Sequence, residues 1–144
     1  MNCCNRNICG AADKSGNYFL NGYHCAEAVV RGSIEHAGMK PDEIVRYATP
    51  FGGGYGKTFQ EACGALSGAL IVIGHLYGRN EAGQSWDYPA ALAEIIRDKF
   101  LEKYGTTKCI NLREKFGPEA QQQKCSEIVR WISCEVMDEL ELEN

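Results

Sequence analysis

Residues 62–78 read Ala-Cys-Gly-Ala-Leu-Ser-Gly-Ala-Leu-Ile-Val-Ile-Gly-His-Leu-Tyr-Gly, with no charged residue in the stretch. How this run is read decides the fold. Leu70, Ile71, Val72 and Ile73 are large and mostly β-branched, which suits a buried strand as well as a helix. The alanines and leucines on either side favour the helix. The run is 17 residues long and holds four glycines, a serine and a histidine. That falls short of the ~18–20 apolar residues a membrane-spanning helix needs. A core helix is expected, with no membrane insertion.

Working outward, Thr58 and Glu61 have the spacing of a capping box, so this helix is expected to start at Thr58 and end near Tyr77. Just before it lies Pro50-Phe51-Gly52-Gly53-Gly54-Tyr55-Gly56, a loop that calls for backbone angles favoured by glycine. Phe51 to Thr58 approaches a phosphate-binding loop, but Phe51 stands where the first glycine belongs. The preceding residues, with Arg46 and Pro50, make a poor buried strand, so nucleotide binding is not expected. Consecutive N–H groups in such a loop do form concave anion sites, which suit thiolates and sulfide.

Further out, Asn21 is the expected cap of a helix reaching about His36 and closed by Gly38. Pro41 to about Tyr47 reads as a short helix with proline at its first position. Asp87 and Pro89 open a long helix with Leu92, Ile95, Ile96, Phe100 and Tyr104 on one stripe, closed by Gly105. Gly117-Pro118-Glu119 starts the last helix, which carries Ile128, Val129, Ile132 and Val136. No segment alternates with period two for long enough to support a sheet. The chain is therefore expected to be all-α, a single-domain bundle of about four to six helices with a glycine-rich loop. Its expected parts are a cysteine-containing N-terminal segment (1–20), a helical core (21–136) and an acidic tail (137–144). The residues after Cys134 include five acids and no base, and they read as a solvated helix end.

The chain has 144 residues and eight cysteines, about 5.6%. That is below the ~8–10% of a small disulfide scaffold, and a chain of this length buries enough surface to fold without such staples. Lys and Arg number 15 against 19 Asp and Glu, a net charge of −4, which argues against a nucleic-acid binder. The opening Met1-Asn2-Cys3-Cys4 has no basic-then-apolar pattern of a secretory signal. A reducing cytoplasm is the expected compartment, where cysteine clusters are more often metal-binding or catalytic than disulfide-bonded.

Helix geometry sorts the cysteines. Cys25 falls near the start of the helix capped by Asn21. Cys63 falls five residues after Thr58, where a helix dipole acts weakly. Gly64 and Gly68 make a smooth face beside it, fit for a neighbouring helix, a cofactor or a second subunit. Cys109 begins a short segment after Gly105. Cys125 shares a stripe with Val129 and Ile132, while Cys134, nine residues on, points 180° away and reads as core. Cys3, Cys4 and Cys9 match no known zinc or iron–sulfur spacing.

The histidines are weak candidates. His24 points about 100° away from Cys25, which disfavours it as a base for that thiol. His36 lies about 16 Å along the helix from Cys25. His75 sits about 120° round from Cys63.

The residues Cys63-Gly64-Ala65-Leu66-Ser67-Gly68, following the glycine loop, resemble the signature of the C-GCAxxG-C-C family of redox-active proteins. The family's four hallmark cysteines match Cys25, Cys63, Cys109 and Cys125, and the resemblance runs from about residue 15 to residue 135. His24 departs from the pattern, since members often have asparagine there. A similar domain accompanies haem and an iron–sulfur centre in split-Soret cytochromes. The resemblance implies redox chemistry at these cysteines without naming a reaction.

Three functions follow from these residues. In the first, Cys25, Cys63, Cys109 and Cys125 converge as metal ligands and hold an iron–sulfur cluster or another thiophilic metal for electron transfer. Gly52, Gly53, Gly54, Gly56 and Gly64 would then face the cofactor. In the second, the site is metal-free and runs thiol–disulfide or sulfur-transfer chemistry, with Cys63 as the reactive thiol and Cys25 its partner. In the third, the chain is a non-catalytic helical interaction domain. The first two imply a redox partner protein. The smooth Gly64/Gly68 face leaves a homo-oligomer open.

Overall fold

A computed structural model describes residues 10–140. Among these residues, six helices form one all-α domain: α1 (Gly10–Leu20), α2 (Cys25–His36), α3 (Ile44–Ala48), α4 (Gly64–Tyr77), α5 (Asp87–Tyr104) and α6 (Cys109–Glu139). A 3-10 turn, Thr49–Phe51, follows α3. No strand occurs among the described residues. The ambiguous Leu70–Ile73 run lies in mid-helix, with Ala65, Leu66, Ala69, Val72 and Ile73 buried.

Helix α2 is the centre of the bundle and packs on α1, α4 and α6; α5 closes the far side against α4 and α6. Val29, Val30 and Ile34 of α2 meet Ile96 and Phe100 of α5 and Ile128, Ile132 and Val136 of α6 in one continuous core. Burial of each such side chain contributes roughly 1.5–3 kcal/mol. The α2–α4 crossing is close because Gly64 and Gly68 carry no side chain. A Cβ at Gly68 would stand 2.7 Å from the carbonyl oxygen of Ala26, and one at Gly64 would overlap the Cys25 sulfur. The smooth face expected beside Cys63 therefore receives α2.

Helix α5 has the expected limits, and Gly105 caps it at φ 77°. Its stripe is buried at Leu92, Ile96 and Phe100, while Ile95 faces outward. The last helix turns at Gly117 (φ 78°, ψ 159°) into Pro118, where its start was expected. The residues before that break, Cys109 onward, are helical as well.

Three helix starts differ from expectation. Helix α2 begins at Cys25 and is capped by His24, not Asn21. Asn21 instead closes α1, its side-chain amide donating to the Asn17 carbonyl. Helix α3 begins at Ile44, after a turn in which Val45 N–H donates to Pro41 O. Helix α4 begins at Gly64, six residues after the expected Thr58 start. The Thr58 hydroxyl does not cap a helix; it donates to Gly54 O at 2.7 Å and to Tyr55 O at 2.9 Å. Residues 61–63 tie instead to the approach to α6, with Cys63 N–H donating to Thr107 O and Cys109 N–H to Glu61 O. An isolated antiparallel bridge joins Ala62 to Lys108.

Helix α1 was not anticipated by the sequence reading. Its glycines and polar residues suppress the helical pattern, yet it docks by them: Ala11, Ser15 and Gly16 are buried. Ser15 meets Ser133 of α6 through a 2.8 Å hydrogen bond between their hydroxyls. The residues after Cys134 are not a solvated end up to Leu140. Val136, Met137 and Leu140 are core, and buried Glu135 pairs with Lys99 at 3.1 Å, as does Glu139 at 2.7 Å. No helix among the described residues is long and apolar enough to cross a membrane.

Candidate functional site

The glycine loop sets the site. From Gly53 to Lys57 five successive residues have φ between 59° and 66°, and Phe59 follows at 62°. This is a short left-handed turn, closed by bonds such as Gly56 N–H to Pro50 O and Phe59 N–H to Gly53 O. Tyr55, Lys57 and Phe59 adopt this conformation without being glycine, at a cost of about 1–2 kcal/mol each. Strain of that size is held only where surrounding structure fixes it, and such segments cluster at functional sites. Here the turn lies over the cysteines. The Gly53 N–H faces the Cys25 sulfur. A Cβ at Gly54 would stand 2.7 Å from the Cys109 Cβ, and one at Gly52 would stand 2.7 Å from the His24 ring. Gly56 faces open space.

Three of the four hallmark cysteines sit at helix starts. Cys25 is the first residue of α2, Cys63 is the N-cap of α4 and Cys109 is the first residue of α6. The expectation that the helix dipole acts weakly on Cys63 fails, because α4 starts later and Cys63 occupies its end. Three positive helix ends thus converge on sulfur, a placement that favours thiolates. The sequence signal was masked because cysteine stands where a serine or aspartate cap would have been read. Cys125 completes the set from the middle of α6.

All four line one small cavity of about 30 Å³, with Leu112, Phe116 and Ile128 as its apolar wall. Their thiols are free. Burial is the largest influence on each and raises every one of the four above the ordinary thiol value. Cys63, 8% exposed, is raised strongly, by burial and then by the neighbouring Cys25; the Ala65 and Leu66 N–H groups oppose this without closing a capping bond. Cys125 is pushed up to about 11 by burial and by Cys25 and Cys109. The Arg113 guanidinium opposes the rise at Cys109 and Cys125.

His24 is a cap, not a base. Its Nδ1 accepts from Glu27 N–H at 3.4 Å, while its own backbone N–H donates to the Glu27 carboxylate at 3.2 Å. Its Nε2 bonds Thr49 O at 2.9 Å, so the ring holds the Nε2–H tautomer. Asparagine is among the best caps, so the capping role that histidine fills here is one that asparagine would also suit. His75 is exposed and His36 half-buried on the far end of α2. Cys134 is fully buried in the core, away from the cavity. Cys3, Cys4 and Cys9 lie outside the described residues.

Among the described residues, no three Cys, His, Asp or Glu side chains stand close enough to hold a metal ion as placed. Sequence reasoning missed Arg113, whose guanidinium carbon lies 3.9 Å from the centre of the Phe59 ring. Nothing local marks it; only the strained loop brings Phe59 beneath it.

A family model described as "Putative redox-active protein (C_GCAxxG_C_C)" matches residues 23–139. The chain belongs to this family. No curated protein and no solved structure matches the chain. The four cysteines that the resemblance singled out are the ones that line the cavity, and the glycine loop that precedes Cys63 is the left-handed turn above them.

Proposed function

We propose that Cys25, Cys63, Cys109 and Cys125 form one thiolate centre that binds an iron–sulfur cluster or another thiophilic metal and carries electrons to a partner protein in the cytoplasm. The observation that supports this reading is one small cavity lined by four free thiols, three of them at helix starts. The donor set suits a soft metal. The raised thiols add to the case. Without a cation they stay protonated near neutral pH, and protonated thiols are poor nucleophiles, whereas coordination to a metal deprotonates a thiol outright. A bound metal or cluster would supply the electron store. The chain's own part is to hold four sulfurs on three helices, to oppose their charge with N–H groups and Arg113, and to exclude water with Leu112, Phe116 and Ile128.

A second reading keeps the same residues without metal. It is favoured by the spacing of the thiols, since no three converge on one point as placed. In it, Cys25 and Cys63 cycle between dithiol and disulfide.

Purification without oxygen, followed by a visible spectrum and assays of iron, zinc and acid-labile sulfide, separates the two. Bound metal with a sulfur-to-metal absorption band, lost in Cys63→Ser and Cys125→Ser, is expected. A colourless protein that stays metal-free after incubation with iron and sulfide, and with zinc, would overturn the metal reading.

A further inference from the structure

The thiol centre has a mouth. Besides the small cavity, Cys25, Cys109 and Cys125 line an open cleft of about 320 Å³, which Cys63 does not reach. Phe19 and Phe59 form apolar wall, and Gln121 and Gln122 bring amide groups. Arg113 is the cation of the cleft, and no acidic side chain lines it. Phe59 covers one face of the guanidinium, which leaves its edge donors for a planar anion. No carboxylate pairs with Arg113 among the described residues.

We propose that this cleft binds a small organic anion bearing a thiol, its carboxylate on Arg113 and its sulfur among Cys25, Cys109 and Cys125. Charge selects the anion: one unpaired guanidinium and no acid. The sulfur floor and aromatic wall select sulfur, which is polarisable and packs well against ring edges. Volume selects size, since the cleft lies at the low end of the roughly 300–1,000 Å³ of small-molecule sites. The proposal rests on these cysteines being the reactive centre and gives that centre a small-molecule ligand.

Calorimetric titration of oxygen-free protein with 3-mercaptopropionate and with butyrate tests it. The two share a carboxylate and chain length and differ in thiol against methyl. The thiol acid is expected to bind about tenfold tighter, and Arg113→Gln to weaken it about tenfold, as loss of a charge-assisted hydrogen bond does. Gln122→Glu, at an exposed position, places a like charge at the mouth and is expected to weaken binding about threefold; it carries the test if Arg113→Gln does not fold. Equal affinity for the two anions, or binding unchanged in the variants, would overturn the proposal. Metal content is measured on the same samples. Discrimination by protein that stays metal-free after incubation with iron and sulfide, and with zinc, leaves the cleft standing while the metal reading falls. Metal-loaded protein without discrimination removes the cleft alone.

Discussion

Gly64 shows how closely single residues fit around the sulfur atoms. A methyl group there would occupy the place of the Cys25 sulfur. Gly64→Ala is therefore expected to destabilise the protein by about 1–3 kcal/mol, the usual range for overpacking a core. A urea midpoint at or above the wild-type value would contradict that contact. The thiols give a pH prediction. Cys125 ionises at about 11 in the folded protein against 9.0 for a free thiol. Below about 9 both states hold the proton and folding is unaffected; above it the unfolded chain ionises first, so stability falls as pH rises toward the folded value. In metal-free protein, alkylation of Cys125 by iodoacetamide should reach half its limiting rate near pH 11. A midpoint below 9 would show an activated thiol and favour the metal-free reading.

At the scale of elements, the ends of helices matter more than their middles. His24 caps α2 with a reciprocal box to Glu27, so His24→Asn should leave stability within about 0.5 kcal/mol, while His24→Ala should cost about 1 kcal/mol. Equal loss in both, read by urea unfolding, would mean that the ring acts otherwise than as a cap. The left-handed turn predicts a gain. Lys57 is exposed and holds φ 64°, so Lys57→Gly should raise stability by about 0.5–1 kcal/mol, the left-handed penalty less the entropy cost of glycine. A lower midpoint would argue against the strain. These ends are also where the sequence was least legible. Thr58 and Glu61 had the capping pattern, but Thr58 bonds back into the loop and the Glu61 carbonyl accepts from Cys109 at the start of α6. Asn21 is a good cap by type, yet it ends α1. Cys63 was passed over as a cap because its own chemistry drew the reading elsewhere.

For the whole molecule, the pattern of apolar residues was enough to give an all-α bundle, because α5 and the last helix carry clear stripes, with a plain stop at Gly105 and a plain start at Gly117. Helix α1 carried no such stripe. It is held by small buried residues and the Ser15–Ser133 bond, which only the assembled bundle reveals. The grouping of Cys25, Cys63, Cys109 and Cys125 came from the family resemblance, and the fold supplies its physical cause: three helix starts and the middle of α6 brought to one cavity. Arg113 and the cleft had no local signature at all.

That convergence is tested most directly by X-ray absorption at the zinc edge of zinc-loaded protein. Four sulfur neighbours at about 2.3 Å are predicted, falling to three in Cys63→Ser. Two or fewer sulfurs, or a count unchanged in that variant, would contradict a single four-thiolate centre.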